Sequence, residues 1–129
     1  MDIFLLLSMI FCHILDDFCL QGWLVSAKQK EYWQKNAPEP LYRFDYIPAL
    51  IMHSISWSFM ITIPLKVYSV CMHFNDGWLL PVVFLVNMVI HAIVDHLKAN
   101  KKKINLVIDQ SIHILQIIIS FTVYYFIFK

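Results

Sequence analysis

Four apolar runs dominate this chain, at about 3–25, 47–71, 79–97 and 104–128, and each reaches the roughly 20 residues that a helix needs to cross a bilayer. A backbone in lipid must satisfy its own hydrogen bonds, which leaves helices as the natural form for such runs. Little chain remains for a soluble domain: of 129 residues, 60% are hydrophobic and only two are glycine. The expected fold is therefore all-α, a single polytopic membrane domain over 1–129 with four transmembrane helices in a bundle of two hairpins. The first run lacks a basic leader, contains Asp16 and Asp17, and is followed by no small-residue cleavage pattern, so it reads as a retained span. Cys12, Cys19 and Cys71 lie in or beside spans and read as apolar packing.

The net charge of +1 conceals an asymmetry between the connections. Lys28, Lys30, Lys35 and Arg43 fall in the 26–46 connection, and Lys98, Lys101, Lys102 and Lys103 lie between the last two spans. The connection after the second span has only Asp76 as a fixed charge, with Lys66 at its border. The positive-inside rule then makes both basic connections cytoplasmic and turns both termini outward. Ala37-Pro38-Glu39-Pro40 interrupts any helix in 26–46, which reads as a cytoplasmic interfacial loop with Tyr32, Trp33, Tyr42 and Tyr46 at headgroup level. The three consecutive lysines fit a topology signal and an anionic-lipid contact; nothing in the pattern suggests nucleic acid as a partner.

Ionisable groups inside these spans are the second constraint, because each costs several kcal/mol at bilayer depth, in order of magnitude, unless it faces a partner, cavity or ion. His13 with Asp17, His91 with Asp95, and Asp109 with His113 are each four residues apart, on one helix face. The stripes extend to Gln21 on span one, to Asn87 and Lys98 on span three, and to Gln116 and Ser120 on span four, with Ile, Leu, Val and Phe between them. At 1.5 Å per residue the carboxylates and His53 fall within roughly 15 Å of the cytoplasmic surface, and the other histidines lie no more than a few turns deeper. Spans one and three also share an ending, His-x-x-x-Asp before a basic connection, which suggests two hairpins about a pseudo-two-fold axis.

Imidazole and carboxylate donors suit zinc, with manganese or iron as alternatives, and one or two ions would use them. On this reading His13, Asp17, His91, Asp95, Asp109 and His113 are metal ligands or their immediate support, with Gln21, His53 and Asn87 behind them. Asp16 is a candidate base or extra ligand; Lys28 and Lys98 are candidates for holding an anionic group, and Gln110 for positioning substrate. His53 has no carboxylate one turn away, which weakens it as a direct ligand. Two other readings of the same stripes stand beside this one. They could form a relay in a small transporter or proton-conducting homo-oligomer, or serve as interhelical hydrogen bonds in a non-catalytic interaction module, for example a phage-encoded modulator. The H-E-x-x-H, D-G-x-x-A-R and G-x-S-x-G patterns are absent, and Arg43 is the only arginine.

At these residues the chain resembles a family of small bacterial and phage membrane proteins known as domain of unknown function 3307. The pattern is carried by His13, Asp17, Phe18 and Gln21, then Lys28, then His53, then His91, Asp95 and Lys98, then Asp109, Gln110 and His113. Trp57 departs from it, standing where a second histidine is expected one turn after His53. The family is similar in motif style to predicted membrane-bound metal-dependent hydrolases. The resemblance adds weight to a metal site but names no reaction or substrate. The coincidence of depth and face leads to the main expectation, a metal-dependent hydrolase of a lipid or lipid-linked ester or phosphoester, working among membrane lipids from the cytoplasmic side.

Overall fold

The computed structural model describes residues 2–128, and these are helical throughout apart from short connections. Helix α1 spans Asp2–Ile14 and passes into a π-helical segment, Leu15–Leu20; α2 spans Leu24–Ala27 and α3 Lys30–Asn36. A 3-10 turn at Pro40–Tyr42 precedes α4, Tyr46–Cys71, followed by α5, Leu79–Ala99, and α6, Leu106–Phe128. Four stretches are long and apolar enough to cross a membrane: Ile3–Leu20, Pro40–Cys71, Leu79–Ala99 and Leu106–Phe128. The long helices pack in sequence order around a ring, α1 on α4, α4 on α5, α5 on α6 and α6 back on α1, with the most extensive contact between α4 and α5.

The distribution of side chains inverts that of a water-soluble bundle. Phe4, Phe11, Val86, Ile93 and Leu115 are exposed, while His13, Asp16, His91, Asp95, Asp109 and His113 are buried. An apolar outer surface and a polar interior suit a chain solvated by lipid. The buried histidines and the aspartates that face them occupy one half of the bundle. The other half is closed by Leu5, Met9, Ile61, Leu65, Val83, Ile117 and Tyr124, which pack as one core with Trp57 at its boundary.

Two elements depart from the sequence expectation. The first span is not a straight helix to Val25: it widens into the π segment, then breaks at Gly22, whose φ of +52° is a left-handed conformation open to glycine. The 26–46 stretch is not a plain loop but holds the end of α2, all of α3 and the 3-10 turn, and Asn100 ties it to α5. The Asn100 side chain donates to the Lys28 carbonyl at 3.0 Å and accepts from the Lys30 amide at 2.6 Å. Helix α6 begins at Leu106 rather than Ile104 because Asn105 caps it, its side-chain oxygen accepting from the Ile108 amide at 2.9 Å. Pro64 sits within α4, and Pro81 in the first turn of α5, where a missing amide proton is harmless.

At the apolar end the α4–α5 turn is pinned by Asp76, which accepts from Lys66 Nζ at 2.9 Å and from Ser69 Oγ at 2.9 Å. Burial pushes the Asp76 carboxyl up, but these hydrogen bonds outweigh it and hold the group below the usual carboxylate range. A depressed carboxylate contributes stability that is present above its unfolded value of about 4 and is lost as pH falls through the folded value. Asp76→Asn is accordingly expected to lower stability at neutral pH and to flatten its decline below about pH 4. Thermal unfolding in detergent across an acid pH series measures both effects, and parallel wild-type and variant curves would refute the assignment.

Candidate metal centre

The site is assembled where four helical segments present their polar stripes to one layer. The π segment supplies Asp17, α4 supplies His53, α5 supplies His91 and Asp95, and α6 supplies Asp109 and His113. Three overlapping groups of donor atoms lie within 4.8 Å of one another: Asp17, His53 and His91; His91, Asp95 and His113; and Asp17, Asp109 and His113. His53 Nε2 is 3.0 Å from His91 Nε2, 3.2 Å from Asp95 Oδ2 and 3.4 Å from Asp17 Oδ1. Convergence of two imidazoles and two carboxylates from three segments on so small a volume is the arrangement an ion-binding site requires.

The protonation pattern on α6 can be read from its hydrogen bonds. Asn87 Nδ2 donates to the Val83 carbonyl at 2.8 Å, so Asn87 Oδ1 is the acceptor and the Gln116 amide nitrogen faces it at 3.2 Å. Gln116 Oε1 therefore accepts from His113 Nδ1 at 3.0 Å. In the neutral ring that leaves the lone pair on His113 Nε2, a buried atom with no hydrogen-bond partner, 3.3 Å from Asp109 Oδ1, which also has none. Two buried acceptors facing each other are costly unless a proton, which would make the contact an imidazolium–carboxylate pair, or a metal ion lies between them. A metal-bound histidine typically presents one lone pair while its other nitrogen donates to an orienting group. His91 Nδ1 is a further buried atom without a partner.

His13 stands as support within the ligand-or-support expectation. It belongs to none of the three groups, and both its ring nitrogens are engaged: Nδ1 accepts from Trp57 Nε1 at 2.8 Å, and Nε2 then donates to Gln110 Oε1 at 3.0 Å. Gln110 passes the order on, its amide donating to Asp17 Oδ2 at 2.8 Å and to Asp109 Oδ2 at 3.0 Å. Trp57, His13 and Gln110 thus form a relay that aims two carboxylates. Trp57 also stacks on His91, ring centroids 4.2 Å apart, and His91 stacks in turn on His113 at 4.2 Å. Gln21 donates to Asp17 Oδ1 at 2.8 Å and also to the Asp17 backbone carbonyl.

Asp16 is turned away from this cluster. Its Oδ1 accepts from Ser56 on α4 at 2.6 Å, and it does not line the polar pocket. Lys28 and Lys98 instead meet the carboxylates directly, Lys28 Nζ at 2.6 Å from Asp95 Oδ2 and Lys98 Nζ at 2.6 Å from Asp109 Oδ2. Both lysines line a pocket of about 370 Å³ at the basic end of the bundle, with Asp17, Asp95, Gln110 and Lys102 as further polar walls and Phe18, Val25 and Leu106 as apolar ones. Trp57 and Asn100 are the contributors that spacing did not single out, since their contacts are made between helices. The departure of Trp57 from the family pattern was the one available signal. No protein-family model, curated protein or solved structure matches this chain.

Proposed function

We propose that this chain is a multi-pass membrane protein of the bacterial inner membrane that holds a divalent metal, zinc best among zinc, manganese and iron, and hydrolyses a lipid or lipid-linked ester or phosphoester from the cytoplasmic side. The observation that carries the reading is the confrontation of His113 Nε2 with Asp109 Oδ1, two buried atoms without a hydrogen-bond partner among the described residues, inside a cluster of six convergent His and Asp side chains. The resemblance to domain of unknown function 3307, which rests on the same residues, supports it. An ion bound there would supply Lewis acidity and a nucleophilic hydroxide near neutral pH.

The chain's own groups would do the rest. Asp17, His53, His91, Asp95, Asp109 and His113 bind, while Gln110 and His13 hold the carboxylates in register. Lys28 and Lys98, held at the pocket by Asp95 and Asp109, would be the groups that meet an anionic headgroup, and Phe18, Val25 and Leu106 give an acyl chain an apolar wall. The polar chain continues from His113 through Gln116 and Asn87 to Ser120, then meets the apolar core, which favours a one-ended pocket over a conducting relay. Purified protein in nanodiscs should carry one or two zinc, manganese or iron ions per chain and release phosphate or fatty acid from a panel of phospholipids, with chelation abolishing turnover. A preparation that is metal-free and fails to rebind all three metals would sink the proposal.

A further inference from the structure

Lys28 occupies the oxygen that an ion would need. Its ammonium lies 2.6 Å from Asp95 Oδ2, and that same atom is 3.2 Å from His53 Nε2 and 4.0 Å from His91 Nε2. Lys98 is placed differently. It meets Asp109 Oδ2, leaving Oδ1 turned toward His113, so an ion on Oδ1 and an ammonium on Oδ2 are compatible. Of the two lysines, only Lys28 shares its oxygen with the donor cluster.

Resting on the metal reading above, we propose that Lys28 is a displaceable internal counter-ion, and that its release couples metal binding to capture of a phosphate-class oxyanion in the adjoining pocket. A divalent ion on Asp95 Oδ2 repels an ammonium at hydrogen-bond distance, and a weakly screened interior strengthens that repulsion. Lys28 has somewhere to go, because it already lines the 370 Å³ pocket whose walls include Lys98 and Lys102. It is also tethered: Asn100 holds its carbonyl at 3.0 Å, so the backbone stays while the flexible side chain swings. Lys98 and Lys102 line the same cavity but are paired with Asp109 and Glu31, so Lys28, once detached from Asp95, adds an unpaired ammonium to a space of headgroup size. An ammonium freed there, beside two further lysines, favours a phosphate-class oxyanion. Linkage then demands reciprocity, so that an anion which holds Lys28 in the pocket tightens the metal by the same factor that the metal tightens the anion.

The test is a zinc titration against a chelator in detergent, with and without inorganic phosphate, and in zwitterionic nanodiscs with and without phosphatidic acid. Wild-type protein should bind zinc about tenfold more tightly when the oxyanion is present. A gain with phosphatidic acid alone identifies a lipid headgroup as the ligand, and a gain with inorganic phosphate alone a soluble one. Lys28→Met should bind zinc about tenfold more tightly without any anion, and should lose most of the further gain. Lys28→Arg, which keeps the charge, should behave as wild type and so separates displacement from misfolding. Zinc bound equally by wild type and Lys28→Met, or an anion effect that survives in Lys28→Met or is absent from wild type, overturns the inference while leaving the metal centre intact. Failure of wild type to bind zinc, manganese or iron removes both.

Discussion

His91→Ala is expected to empty the proposed metal centre, weakening metal affinity by at least about a hundredfold, more than the loss typical of an orienting residue. His91, like Asp17 and His113, belongs to two of the three groups, its Nε2 lies 3.0 Å from His53 Nε2, and its ring packs against both Trp57 and His113 at 4.2 Å. Alanine is a strong helix former, so α5 should persist while the site fails. His13→Ala supplies the contrast. Its nitrogens serve Trp57 and Gln110, so its loss should loosen Asp17 and Asp109 and weaken metal binding by about tenfold. Metal content by mass spectrometry and chelator competition on folded protein measure both. Equal losses in the two variants would mean that His13 ligates directly and that the relay assignment is wrong.

Trp57→Ala is expected to be the most destabilising single change, on the order of 3 kcal/mol, because it opens a cavity at a fully buried ring. Three further losses accompany the void: the donor to His13 Nδ1, the face that His91 stacks on, and the edge near His113 at 5.2 Å. Trp57→Phe should recover much of the packing but not the hydrogen bond, leaving a buried acceptor at His13. Stability should therefore rise part of the way back while metal affinity stays low. Denaturation in mixed micelles, paired with metal titration, separates the two quantities. A Trp57→Phe variant with wild-type affinity would show that His13 does not need its donor.

The contrast between His13 and His53 explains how much of the site the sequence could disclose. Helical spacing placed a histidine and a carboxylate on one face in each of three spans, and those faces do meet in one layer. Spacing says nothing about partners on other helices. His53 looked weak because no carboxylate stands one turn away, yet Asp17 and Asp95 reach it from the π segment and α5, at 3.4 and 3.2 Å. His13 looked strong because Asp17 is one turn away, yet its nitrogens go to Trp57 and to Gln110, 44 and 97 residues distant in sequence. The π segment intervenes between His13 and Asp17, so an α-helical wheel misjudges their relation. The four apolar helices, by contrast, were legible almost to their ends, since length and hydropathy are local properties. Gly22 marked the break in the first span only once its left-handed φ was known.

The apolar half of the bundle has a consequence of its own. Ile61, Leu65, Ile117 and Tyr124 are each fully buried, and together they stopper the interior beyond Ser120. On the proposed hydrolase reading the chamber has one mouth, so whatever leaves the site departs by the route along which it came. Turnover should then run at the same speed in energised and de-energised vesicles, like a workshop indifferent to the voltage across its own wall.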